Sequence, residues 1–177
     1  MPMRMLVAGA ATLVFAAGMA AVQPAQAAQL NDAQIAHVAY TADTIDIKAA
    51  QQALKKSHNT EVRQFAQDMI RDHTAVNQKA LALLKQLHVK PQDNATSRAL
   101  EKQAKAERNK LAKLSGPAFD RAYAQNEVAY HQEVNKALTD TLIPSASNPQ
   151  LKSLLETGLK IFQAHEQHAE HIVASLK

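Results

Sequence analysis

Phe65-Ala66-Gln67-Asp68-Met69-Ile70-Arg71-Asp72-His73-Thr74 is the stretch whose reading decides the fold. Counted through it at heptad spacing, Val62, Ala66, Met69, His73, Val76, Ala80, Leu83 and Leu87 recur at steps of three and four, the period of an amphipathic helix packed against other helices. One member of that stripe is polar. His73 stands where the pattern asks for a hydrophobe, so its imidazole is expected inside a helical core.

Working outward, a helix is expected from about Asp32 to Ser57, with Asn31 as N-cap and Gln34 completing a capping-box start. Its inward stripe reads Ile35, Ala39, Ala42, Asp46, Ala49 and Ala53, and the alanines imply close helix–helix approach. Ser57-His58-Asn59-Thr60 breaks the pattern before a second helix from about Thr60 to His88, so the two form a hairpin with a very short turn. Asp46 lies 13 residues before Asn59 and His73 lies 14 after it. At ~1.5 Å of rise per residue the two are nearly level across the hairpin.

Downstream, Val89 to Asn94 reads as a loop, and the basic segment from about Thr96 to Leu114 carries only a thin stripe of Leu100, Ala104, Leu111 and Leu114, as expected of a connecting helix on the outside. Ser115-Gly116-Pro117 ends it, with Gly as a left-handed C-cap and Pro opening the next helix. That helix, about Pro117 to Leu142, is expected to bury Phe119, Tyr123, Glu127, Tyr130, Val134, Ala137 and Thr141, with His131 one turn beyond Glu127. After the loop at Pro144 to Ser147, Asn148-Pro149 caps a last helix whose stripe is Leu151, Leu155, Gly158, Phe162, His165, Ala169, Ile172 and Leu176. Each of the four long segments therefore carries an ionisable residue near its middle. They meet at one level in a four-helix bundle with an extra connecting helix between the second and third core helices, whichever way that connection runs.

The first residues read as an address label. Arg4, the apolar run from Leu6 to Val22 and the small-x-small triplet Ala25-Gln26-Ala27 make a secretory signal peptide cleaved after Ala27, leaving residues 28–177 as a single domain in the periplasm or otherwise exported to the cell envelope. No later apolar run is long enough to span a bilayer. Losing Arg4 reduces the 20 Lys+Arg to 19 against 16 Asp+Glu, a net charge of +3 with the signs interleaved, which gives no indication of nucleic acid or anionic lipid as partner. The absence of cysteine rules out a disulfide framework and thiolate metal sites. With 46% hydrophobic residues dominated by Ala and Leu, no Trp and only 4 Gly, the composition favours close-packed helices, and no period-2 strand signal occurs. There is no phosphate-cradling Gly-rich loop and no serine in a nucleophile context, so an enzymatic role has no support in the motifs.

The candidate site is thus Asp46, His73, Glu127, His131 and His165. A single buried His–Asp pair is an ordinary satisfied core contact, but several ionisable groups converging cost several kcal/mol per unpaired charge, and a bound metal is one common way to neutralise them. Three imidazoles with one or two carboxylates suit Zn, Cu, Ni, Fe or Mn. The alternative is a structural or interaction module in which these residues only fix helix register. His168 and His171 continue the three-residue spacing from His165, though His171 rotates to solvent, and Tyr123 and Tyr130 flank Glu127, where their hydroxyls would serve a carboxylate.

Phe65-Ala66 with Met69 and Asp72-His73, Phe119-Asp120-x-x-Tyr123 leading to His131, and Leu151-Lys152 leading to His165 together resemble the exported bacterial family of domain of unknown function 4142, over about Leu30 to Leu176. The resemblance implies a ferritin-like bundle and an envelope location. Ferritin-like di-metal proteins carry a Glu on each of two helices and Glu-x-x-His on the other two. Here Asp72 and His73 are adjacent, Glu127 and His131 are four apart, and the last helix has His165-Glu166-x-His168, a departure that argues against carboxylate-bridged di-iron chemistry.

Overall fold

The computed structural model describes residues 30–176, and every regular element among them is helical. The expected signal peptide and its cleavage site lie outside the described residues. Helix α1 (Asp32–Lys56) begins at Asn31, whose side chain accepts from the Gln34 N–H while the Gln34 side chain accepts from the Asn31 N–H. Helix α2 (Thr60–Gln86) begins at Asn59 after a three-residue turn. Arg63 closes that turn by donating to the carbonyls of Leu54 and Ser57 at 2.6 and 3.0 Å, satisfying acceptors that the end of α1 leaves open.

Helix α3 (Ala95–Ala112) is the connecting helix. Asn94, at its start, donates to the Gln34 carbonyl near the beginning of α1, and Lys56, at the end of α1, donates to the Ala112 carbonyl near the end of α3. The two helices therefore run parallel, and α3 carries the chain back along the full length of the bundle. Helix α4 (Gly116–Ala137) descends from there. It continues through a π-helical turn at Leu138–Leu142 into the short α5 (Ile143–Ser145), and α6 (Pro149–Ser175) returns. Asp32 fastens the α5–α6 loop to the start of α1 by accepting from Ser147 N, Ser147 Oγ and Asn148 N, and Ser175 donates to Glu61 at the other end. Core helices α1 and α6 thus run one way and α2 and α4 the other, with one long crossover between the second and third core helices, the ferritin-like arrangement.

Three stretches depart from the reading of the sequence. At the end of α2 the buried side chain is Leu84, while Leu83 and Leu87 are half-buried. Gly116 does adopt a left-handed backbone, φ 56, but it opens α4 whereas α3 has already ended at Ala112. In the second half of α4 and the π-helical turn after it the buried positions are Glu127, His131, Asn135, Leu138 and Leu142, while Thr141 is exposed and Tyr130, Val134 and Ala137 are half-buried. Steps of four, followed by a turn that bonds Ile143 N–H back to the Leu138 carbonyl, rotate the inward face away from strict heptad counting. The final helix follows its heptad stripe, with Leu151, Leu155, Gly158, Phe162, His165, Ala169 and Ile172 all buried.

Candidate metal centre

The core is two apolar blocks with a polar layer between them. One block, toward the end of α1, holds Val62, Phe65, Met69, Phe119, Tyr123 and Ile172, and the other, toward its start, holds Ile35, Val38, Leu138, Leu155 and Phe162. Between them each core helix contributes its polar interruption: Asp43 and Asp46 from α1, His73 from α2, Glu127 and His131 from α4, and His165 from α6, all buried. Phe162 caps the layer from one side, stacked on the His73 ring at 4.7 Å and 11°. Phe65 meets His165 edge-on from the other at 6.4 Å.

One ligand atom each of His73, His131 and His165 lie within 4.8 Å of one another, and one each of Asp46, Glu127 and His131 do the same. All five residues singled out from sequence are brought together, in two groups that share His131. The hydrogen bonds determine which atoms are free. His131 Nδ1 is 2.9 Å from the Glu127 carbonyl, which can only accept, so the ring proton sits on Nδ1 and Nε2 keeps a lone pair. His73 Nδ1 lies 2.7 Å from Asp43 Oδ1, which holds that side of the ring. Its Nε2 is 3.5 Å from Asp46 Oδ2 and makes no hydrogen bond. His165 Nε2 donates to Asp72 at 3.0 Å, which leaves Nδ1 bare. Thus His73 Nε2, His131 Nε2 and His165 Nδ1 are all buried without a partner, as are both carboxyl oxygens of Glu127. Orphaned buried polar atoms are rare in folded proteins, and each one calls for an explanation. An imidazole whose far nitrogen is held by a carboxylate or carbonyl, with the near nitrogen bare, is the form in which histidine binds a metal.

Burial dominates the protonation states. It pushes His73 and His131 down to about 3, so both rings are neutral near pH 7, and it lowers His165 in the same sense. Burial also raises Glu127 to about 8, with Tyr123 and Asp46 nearby opposing the rise. Asp46 is raised well above the carboxylate range by burial and by the neighbouring Glu127 and Asp43, and burial raises Asp43 likewise. Asp72 behaves oppositely. Burial alone would raise it, but hydrogen bonds from Arg71 and His165 hold it below the usual value, with Arg71 Nε and Nη2 at 2.8 and 3.0 Å from its two oxygens. The layer therefore offers three neutral imidazoles and a cluster of carboxyls that repel one another when ionised. A cation would relieve both the orphaned lone pairs and that repulsion.

Sequence reasoning missed two members of the site. Asp43 is three residues before Asp46, on the same face of α1 one turn earlier; heptad counting stepped over it by choosing Ala42, and the i, i+3 spacing was the available signal. Asp72 has the sequence context of a surface residue beside His73, yet its carboxylate reaches to α6 and orients His165. Tyr130 donates to the Ala42 carbonyl at 3.2 Å, whereas the Tyr123 hydroxyl lies beside Glu127 and favours its ionised form, though the two do not meet in full hydrogen-bond geometry. His171 is exposed, 3.6 Å from Glu61. No described helix is long and apolar enough to cross a membrane.

A crossover-connected, ferritin-like four-helix bundle with a buried histidine–carboxylate layer is the class that fold and site define. The chain belongs to the family described as domain of unknown function DUF4142, whose model matches residues 17–172. Among solved structures it is similar to one titled "CopM in the Cu(II)-bound form", with a TM-score of 0.63 at 17% identity, covering 84% of this chain and 99% of that one. That likeness is one of fold. No curated protein matches in sequence.

Proposed function

We propose that this protein is an exported metal-binding bundle that holds a transition metal ion on His73, His131 and His165, with Asp46 and Glu127 as the adjoining carboxylates, in a metal-handling or envelope-stress role. The observation that carries it is the convergence of three bare ring nitrogens from three helices, each with its opposite nitrogen held. Three neutral imidazoles with carboxylates suit Cu, Zn, Ni, Fe or Mn, and the Cu(II)-bound state of the CopM structure makes copper the first ion to try. Export rests on the leader-like residues 1–27.

The test is thermal unfolding with and without each ion. Binding to the native state alone adds about 2.7 kcal/mol at a hundredfold excess over Kd, several degrees in Tm for a chain of this length. His73→Ala abolishes that rise and also costs stability without metal, since it opens a cavity and strands Asp43. The exposed control His171→Ala preserves the rise. If no ion raises the wild-type Tm, or the rise survives His73→Ala, the second reading takes over. That reading is a purely structural polar network, favoured by the two closed pairs His73–Asp43 and His165–Asp72.

A further inference from the structure

On the far side of Phe162 from the histidines lies a cavity of about 220 Å³ that the metal-binding reading does not use. Small residues create it. Ala36, Ala39 and Ala42 on α1, Ala80 on α2 and Ala137 on α4 leave a space that larger side chains would fill, and Gly158 on α6 makes room for the Phe162 ring, 3.3 Å from where a Cβ would sit. Its other walls include Val76, Leu100, Leu138 and Leu155, and the π-helical turn contributes by turning Leu138 and Leu142 inward and Thr141 outward. The floor is Phe162 and Asp43, and Thr96, Glu133 and Thr141, all exposed, stand at the mouth.

Protein cores are normally packed as densely as organic crystals, because an empty space forfeits the dispersion contacts of everything that lines it. Water is a poor occupant here, since it needs two to four polar partners and nearly all of this wall is aliphatic. The one polar group on the floor, Asp43, is already hydrogen-bonded to His73 Nδ1 at 2.7 Å. An engineered apolar cavity of about 150 Å³ stays dry and binds benzene, so this one has room for a larger guest. We infer that this cavity is a binding site for a small, neutral, largely apolar molecule, of the size of an alkylbenzene or a short-chain alcohol. The carboxylate of Glu133 at the mouth selects against an anionic head group.

Benzene and 1-hexanol are the neutral probes and hexanoate the anionic comparator, added to the purified protein during thermal unfolding and calorimetric titration. Both neutral probes should raise Tm saturably, whereas hexanoate at equal concentration should not. Ala39→Leu and Ala137→Leu, both at half-buried wall positions, should each weaken 1-hexanol binding by about tenfold or more by occupying its space, while Ala118→Leu on the exposed face of α4 leaves binding unchanged. Two filling variants are used so that a folding defect in one leaves the other to report. The inference is overturned if neither neutral probe raises the wild-type Tm, if binding persists in the folded filling variants, or if hexanoate stabilises as well as hexanol.

Discussion

Glu127→Gln tests the energetics of the polar layer without breaking its shape. The residue is fully buried and neither of its oxygens has a hydrogen-bond partner. Burial raises its pKa from 4.5 to about 8. Between those values the metal-free folded protein keeps a proton that the unfolded chain has released. The stabilising contribution is therefore complete below pH 4.5 and is lost as pH rises through 8. The slope approaches ~1.4 kcal/mol per pH unit for one proton, so between pH 5 and pH 8 the wild type should lose on the order of a few kcal/mol as Glu127 and its neighbour Asp46 give up the proton they hold between them. The glutamine side chain of the variant keeps the volume of the protonated acid and has nothing to titrate. His73 and His131 are common to both proteins, so their opposite contribution, which weakens the fold as pH falls from 6.5 toward 3, cancels in the comparison, whereas Asp46, which Glu127 helps to raise, is relieved in the variant and adds to the difference in the same direction. In urea unfolding of chelator-treated protein followed by far-UV circular dichroism, the stability of Glu127→Gln relative to wild type should climb steadily from pH 5 to pH 8. Over that range the difference in Tm between variant and wild type should grow in the variant's favour by several degrees. Adding a bound metal reverses the sign, because the cation favours the ionised carboxylate and an amide offers a weaker ligand. A difference that is flat with pH, or that falls, would refute the claim that Glu127 is held protonated in the metal-free core.

Asp72→Asn should weaken metal affinity by ~10–100-fold in a competition titration, because the carboxylate that orients His165 is lost. Its effect on metal-free stability should stay below ~1 kcal/mol, since Asp72 is partly exposed and already shared with Arg71. Unchanged affinity would remove Asp72 from the site. Intact mass of the protein recovered from the periplasm should correspond to a chain beginning at Ala28, and a mass for all 177 residues would end the signal-peptide reading.

The stripe through His73 and its three counterparts was sufficient for the bundle, because helix burial follows a short-range period that the order of residues along one segment carries. The heptad pattern of α6 came through intact from Leu151 to Ile172, and the caps at Asn31 and Asn148 are chemistry between near neighbours that a sequence displays directly. The polar level could be read as well, since one interruption per helix near mid-length must meet in any antiparallel bundle of equal helices. What only the tertiary structure decided is relative rotation and long-range partnership. In α4 the inward face already steps by four from Glu127 to His131 and Asn135 before the π-helical turn at Leu138–Leu142, a choice that no residue type announces, so Thr141 faces solvent where counting put it inside. Asp43 and Asp72 became site residues because side chains 30 and 93 positions apart are brought within hydrogen-bond reach. Which nitrogen of each histidine is bare is a consequence of those contacts. The direction of the crossover came from pairs such as Asn94 with Gln34 and Lys56 with Ala112, distant in the chain and fixed by packing at the two ends of α3. Periodicity determines which face of a helix is buried, but the neighbour that face meets depends on how whole helices turn and slide against one another, and that is settled only when the core closes.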